Sequence, residues 1–264
     1  MFESMPSSPT DRIALVTGSG RGIGRAIAER LGSEGALVVL SARRAADIET
    51  VSGVIESAGG RARTIPADLA DREACRALVD RVEDDIGPID ILVNNAGIAE
   101  SAPLHRTDDG MWDRTMALNV VTPFSLTRRI LPGMIERGFG RIVNVASTAG
   151  RTGYAYTAAY TASKHGLIGM TRAFSKQGVG HGVTVNAVCP GYVDTDMTRR
   201  TIDNIREKTG LGEEDVIAAL VADSPIGRLI RPDEVADAVA WLCSERAAAV
   251  SGQTVGVCGG AVEG

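Results

Sequence analysis

Seven short apolar runs, each separated from the next by a longer amphipathic stretch, recur along almost the whole of this chain. They are RIALVT (12–17), ALVVLS (36–41), ARTIP (62–66), DILVNN (90–95), RIVNVAS (141–147), VTVNAVCP (183–190) and QTVGVC (253–258). Nearly continuous Val, Ile and Leu suits strands buried on both faces, as in a parallel sheet between two helical layers. Segments with helical spacing near 22–34, 45–58, 71–86, 109–137, 155–178 and 232–244 fall between the runs, which makes a series of βαβ units. The expected fold class is α/β, a single doubly wound domain on a parallel sheet of about seven strands. At 264 residues and 44% hydrophobic content, the chain is long enough to bury one such core.

Two segments stand outside the alternation. Residues 1–11, MFESMPSSPTD, are polar and acidic and read as a flexible tail in front of a domain spanning 12–264. Residues 192–230 carry two charged helical patterns between a strand and a later helix, and read as a short helical lid over the strand ends. A net charge of −5 argues against a general affinity for nucleic acid or anionic membrane. No apolar run approaches the roughly 20 residues that span a bilayer. Cys75, Cys189, Cys243 and Cys258 show neither a C-x-x-C pair nor metal spacing, which fits a reducing cytoplasm. His105, His165 and His181 are scattered without ligand spacing, so no catalytic metal is expected.

TGSGRGIG (17–24) lies between the first strand and the first helix. G-x-G-x-x-G cannot be laid on it, and no Gly-Lys-Ser/Thr follows. An open α/β sheet presents a ligand phosphate to the free amides of a helix start at this place, while a tight strand-to-helix turn is the other use of such glycines.

TGSGRGIG after the first strand, NNAG (94–97) after the fourth, YTASK (160–164) and PGYVDT (190–195) occur in the order and approximate spacing of the short-chain dehydrogenase/reductase family. The chain resembles that family over about residues 12–260, and its T-G-x-x-x-G-x-G pattern accounts for the glycines. The resemblance implies a Rossmann fold. Within the family, GRIVNVASTAG, YTASKHGLIGMTRA, VTVNAVCPG and the end of the chain look most similar to bacterial β-ketoacyl and polyketide ketoreductases and hydroxyacyl-CoA dehydrogenases.

Residue types support the chemistry. Tyr160 and Lys164 are four apart on an expected helix and share one face, where an ammonium favours the phenolate and lowers the tyrosine pKa. Ser147 ends the fifth strand at the carboxyl edge of the sheet, where its hydroxyl can bond a substrate oxygen as charge develops. Asn119 precedes Pro123, whose missing N–H loosens the helix and can free a carbonyl for water. By resemblance, Asn119 anchors a proton-relay water and completes a set of Asn119, Ser147, Tyr160 and Lys164. Taken singly, each has a plainer use: an exposed helical pair, a loop cap, a partner for freed backbone.

An acidic residue at the end of the second strand selects NAD, and an arginine accommodates a 2′-phosphate. VVLSARR places Ala42 at that position, followed by Arg43 and Arg44, and Arg21 adds a cation within the glycine loop. NADP(H) is therefore preferred, with NAD(H) possible. By resemblance the cofactor is held by Gly18, Arg21, Gly22, Ile23 and Gly24, by Arg43, Asp68 and Leu69, and by Asn95, Ala96 and Gly97. Tyr160 and Lys164 meet its nicotinamide ribose, and Pro190, Gly191, Val193 and Thr195 complete the set. Asp68 has a second reading, as a cap for the helix that follows.

The substrate pocket is expected between Ile98–Leu104, Thr148–Tyr156 and the lid, with Ala149, Tyr154, Tyr156, Tyr192 and Met197 as moderately apolar walls. Arg199, Arg200 and Arg206 either meet phosphates of a coenzyme A or carrier arm or form a solvated helix face. IAESAPLHRT stands where some polyketide reductases carry glycines, a departure from that subgroup. The implied activity is NADP(H)-dependent reduction of a ketone, foremost a β-ketoacyl thioester, to a secondary alcohol. Alternatives are oxidation of a 3-hydroxyacyl-CoA or other secondary alcohol, and a dinucleotide-sensing regulator, against which the intact Tyr160 and Lys164 count. Family members pair through the helices at 109–137 and 155–178, so a homotetramer or homodimer is implied.

Overall fold

The computed structural model describes residues 11–263. Residues 1–10 of the expected tail lie outside the described residues, and at its end the Asp11 carboxylate pairs with Arg61 at 3.0 Å. The seven strands are β1 (Ile13–Thr17), β2 (Leu37–Ser41), β3 (Arg61–Thr64), β4 (Ile91–Asn94), β5 (Gly140–Val145), β6 (Val183–Pro190) and β7 (Thr254–Val257). They form one sheet in the order β3-β2-β1-β4-β5-β6-β7, with every pairing parallel. The winding reverses between β1 and β4, which opens a crevice at their carboxyl ends.

Successive strand residues face opposite sides, so each strand feeds two cores. Ala14 and Val16 pack with Ile27 and Leu31 of α1 (Gly22–Ser33), Ile48 and Val51 of α2 (Ala45–Ser57), and Val235 and Val239 of α9 (Pro232–Cys243). Leu15 points the other way, against Leu78 and Val82 of α3 (Arg72–Asp85) and Leu126 and Ile130 of α5 (Thr122–Glu136). A third cluster seats Leu167 and Ile168 of α6 (Ala158–Gly178) on Ala187 and Cys189. The four cysteines are free and buried.

The segment expected as one helix over 109–137 is divided. α4 (Asp109–Met116) passes through a π turn, Ala117–Val121, into α5. An α-helical bond to the Asn119 carbonyl needs the amide of residue 123, and Pro123 has none. The ladder widens there, and the Thr122 amide bonds the Ala117 carbonyl.

The lid comprises α7 (Asp196–Thr209) and α8 (Glu213–Leu220). Its neck is closed by a parallel bridge between Val193 and Ile230. The Asp194 amide donates to the Ile230 carbonyl, and the Ile230 amide to the Tyr192 carbonyl, both at 2.8 Å. Among the described residues no helix is long and apolar enough to cross a membrane.

Candidate active site

The loop after β1 turns so tightly that its glycines are a geometric necessity. Gly18 and Gly22 have φ of +64° and +54°, in the left-handed region. A Cβ on Gly24 would lie 2.3 Å from both the Gly18 carbonyl oxygen and Asn95 Nδ2, and one on Gly22 would lie 3.2 Å from the Thr195 methyl. Arg21 begins α1 in extended backbone without a side-chain cap, so the first-turn amides keep their donors for a ligand. Ile23, half-buried, packs on the core behind them.

Thr17 ties this loop to the neighbouring strand end. Its hydroxyl donates to the Val93 carbonyl at 3.1 Å and accepts from the amides of Asn95 and Ala96 at 3.0 and 3.1 Å. The Asn95 side chain returns the bond, donating to the carbonyls of Thr17 and Gly18 at 2.9 and 3.1 Å. Thr17 was not among the candidates of the sequence, although it is the threonine that opens TGSGRGIG.

The cations around the loop differ in their engagement. Arg44 is paired with Asp47 at 2.7 Å. Arg43, next to it, is exposed and has no ion pair among the described residues. Arg21 makes only a loose 3.9 Å contact with Asp196. An uncapped helix start, a glycine cradle and these two guanidiniums fit a phosphate-bearing dinucleotide.

Asp68 is exposed and accepts from the Ala70 amide at 3.2 Å, closing a local turn. The cap of α3 is Asp71, which accepts from the Glu73 amide at 2.9 Å. The capping alternative for Asp68 is thus taken by another residue. Leu69 is buried, and its carbonyl accepts the Thr122 hydroxyl. Pro190 ends β6, Val193 is buried in the lid neck, and a Cβ on Gly191 would meet Cys258 at 3.3 Å.

Across the crevice the four chemistry candidates gather. Ser147 lies two residues beyond β5, and its hydroxyl accepts from the Ala149 amide at 3.1 Å. Lys164 donates to the Val145 carbonyl at 2.8 Å, with its nitrogen 5.6 Å from the Tyr160 ring centre. A Cβ on Gly97 would fall 3.0 Å from Asn119 Oδ1 and 3.7 Å from Lys164 Nζ, so a side chain there would crowd the Asn119 amide. Asn119 accepts from the Ile98 amide at 2.9 Å and donates to the Ile98 carbonyl at 2.9 Å and to Ser163 Oγ at 3.0 Å. Ser163 in turn donates to the Tyr160 carbonyl at 2.7 Å. This wholly buried serine, which the sequence reading passed over, joins Asn119 to the helix bearing Tyr160.

The electrostatics correct one expectation. Burial pushes the Tyr160 phenol up from its ordinary value, and the nearby Ser147 hydroxyl pulls more weakly the other way. Burial also pushes the Lys164 ammonium down to about 8. Burial thus favours the neutral phenol, while the lysine makes its short contact with a carbonyl and lies over the ring.

A family profile described as short chain dehydrogenase matches residues 12–206. The chain belongs to the short-chain dehydrogenase family. A solved structure of actinorhodin polyketide ketoreductase with NADPH superposes with a TM-score of 0.91 at 40% identity, covering 95% of this chain and 97% of that one. The 3-oxoacyl-[acyl-carrier-protein] reductase FabG of Haemophilus influenzae is 37% identical over 94% of this chain and 97% of its own. An acetoacetyl-CoA reductase of Rhizobium meliloti is 38% identical over 94% and 98%.

In this short-chain dehydrogenase a cavity lies between the loop after Ser147, the lid and the end of the chain. Tyr154, Tyr192, Leu220, Val221, Ile230 and Cys258 line it, with polar groups from Ser224 and Arg228. Tyr154 donates to the Thr148 hydroxyl at 3.0 Å, which fixes its ring. Ala149 is buried, while Tyr156 and Met197 are exposed and stand outside the cavity lining. On the lid, Arg199 pairs with Asp194 at 3.2 Å, and Arg206 approaches Asp203 and Glu213 at 3.6 and 3.7 Å. Such local pairing favours the solvated-face reading for these two. A separate groove lined by Arg72, Arg76, Phe124 and Arg128 contains none of the four chemistry candidates.

Proposed function

We propose that this oxidoreductase uses NADPH to reduce β-ketoacyl thioesters, as free coenzyme A esters or on a carrier protein, to the secondary alcohols. The observation that carries the reading is the placement of Tyr160 one helical turn from a Lys164 held on the Val145 carbonyl at the carboxyl edge of the sheet, where burial favours the neutral phenol. A neutral phenol is an acid in search of a developing alkoxide, as the reductive direction requires.

The bound nicotinamide supplies the hydride. Gly18, Gly22 and Gly24 leave room for its phosphates, and Arg21 and Arg43 meet the 2′-phosphate. Ser147 bonds the ketone oxygen and gains strength as charge accumulates there. Tyr160 transfers its proton to that oxygen. Lys164, half a unit of charge or more near neutrality, favours the phenolate left behind and orients the ribose. The Asn119 carbonyl, freed in the π turn, holds the water through which the proton is replaced. Asp68, Leu69, Asn95, Ala96, Pro190, Gly191, Val193 and Thr195 form the remaining cofactor wall. The protein works as a homotetramer or homodimer, with the exposed Trp112 and Phe124 on the α4 and α5 side supporting such a face. Sedimentation showing only monomer would remove that assignment.

The test follows absorbance loss of NADPH, and separately of NADH, with acetoacetyl-CoA and a small ketone panel, for wild type and Tyr160→Phe. Turnover that prefers NADPH and disappears in the variant is expected. Consumption that persists undiminished in Tyr160→Phe defeats the tyrosine mechanism.

A further inference from the structure

The far end of the lid is fastened to the end of the chain. Ser224 Oγ donates to the Cys258 carbonyl at 2.9 Å and stands 3.4 Å from the Gly259 carbonyl. The Ile226 amide donates to the same Gly259 carbonyl at 3.2 Å. Gly259 and Gly260 have φ of +60° and +86°. A Cβ on Gly259 would lie 2.2 Å from Ile226 Cγ2 and 2.9 Å from Ser224 Oγ, and one on Gly260 would lie 3.1 Å from Pro225 Cγ. The backbone of the tail thus presses into the Ser224–Ile226 turn as only glycine can.

This contact forms part of a cavity wall. Val221 and Ser224 on one side and Cys258 and Ala261 on the other line the space that Tyr154 and Tyr192 close. Tyr154 is bonded to Thr148, the residue after Ser147, and Tyr154 and Tyr192 both lie near enough to act on the Tyr160 phenol, so the wall of this space adjoins the chemistry. Its lining is largely apolar, the kind of wall against which an alkyl or acyl chain packs.

We infer that Ser224 and Gly259 are positioning residues that hold the end of α8 as the wall against which the acyl part of the ketone packs. The inference rests on the ketone-reductase reading of the same site. Neither residue touches the reacting atoms. Their loss therefore weakens ketone binding while leaving the cofactor cradle intact.

Ser224→Ala, Ser224→Thr and Gly259→Ala are compared with wild type as full-length protein, using NADPH with acetoacetyl-CoA. Steady-state constants are measured alongside amide hydrogen exchange. Ser224→Ala and Gly259→Ala are expected to raise the KM for the ketone about tenfold with the KM for NADPH within about twofold, and Ser224→Thr to restore it. Exchange should accelerate across 213–227 and 256–263 and stay unchanged in β1 and β4. Ketone and NADPH constants rising together, or exchange identical to wild type, would overturn the inference. If Gly259→Ala fails to fold, Ser224→Ala, which removes one hydroxyl, decides alone. If wild type reduces no ketone, the functional reading fails, and unchanged lid exchange in Ser224→Ala sinks the fastening as well.

Discussion

Lys164 donates its ammonium to the Val145 carbonyl at 2.8 Å, one helical turn from the Tyr160 it serves. The contact anchors α6 to the end of β5, and it sets a charge inside the protein that burial holds down to about 8. An ammonium so placed favours function at the expense of stability.

Lys164→Met should therefore abolish turnover yet stabilise the fold. The folded pKa is depressed below the ordinary 10.5, so the unfolded chain binds more protons between about 8 and 10.5. Wild-type stability must rise with pH through that window. Near neutrality the methionine variant should gain about 2 kcal/mol, after allowing for the lost bond to Val145, and the gain should shrink near pH 10. Thermal unfolding at the two pH values checks this, and an equal difference at both would refute it.

On the proposed mechanism, the same lysine should set the alkaline limb of catalysis. Tyr160 is pushed up by burial and keeps its proton, so the rate of ketone reduction should fall as Lys164 loses charge, with a midpoint near 8. A kcat/KM profile flat to about pH 10 would show that the charge plays no part.

Arg43 is unpaired among the described residues and Arg21 only loosely paired. Replacing both with alanine should raise the KM for NADPH by about a hundredfold, as expected for two charge-assisted contacts, and barely change that for NADH. Equal changes for the two cofactors would take the 2′-phosphate away from these arginines.

Pro123→Ala restores the amide that the Asn119 carbonyl lacks. The π turn should close toward regular helix, with unchanged or higher stability and a kcat reduced about tenfold through the proton relay. Solvent isotope effects on kcat separate this from altered ketone binding, and an unchanged kcat would show that the freed carbonyl is idle.

Gly24→Ala forces a methyl to within 2.3 Å of the Gly18 carbonyl. Backbone cannot yield as a flexible side chain does, so a loss of about 2–4 kcal/mol with failure to bind NADPH is expected. Cofactor fluorescence and chemical unfolding measure both.

Most of the architecture was legible because each strand announces itself in β-branched residues and each connection in helical spacing. The division of the helix at Ala117–Val121 was foreshadowed by Pro123, but the type of defect depends on which carbonyl finds a new donor. The environment of Tyr160 was not legible. Spacing placed Lys164 on its face, whereas the direction of the ammonium depends on the carbonyl that β5 happens to expose. Thr17 and Ser163 escaped for a related reason: a hydroxyl inside a motif shows its partners only when distant segments meet, and those partners are 76 and 44 residues away.

The single bridge between Val193 and Ile230 has an evolutionary meaning. Because the two ends of the lid meet at this neck, its length can change between them at little cost, provided the replacement also meets the tail at Gly259. Doubling the length of such an insertion costs only about 0.6 kcal/mol in closure entropy, and the strands beneath bear none of it. On the proposed reading, substrate preference can therefore change in the lid while Ser147, Tyr160 and Lys164 at the sheet edge and on α6 stay as they are.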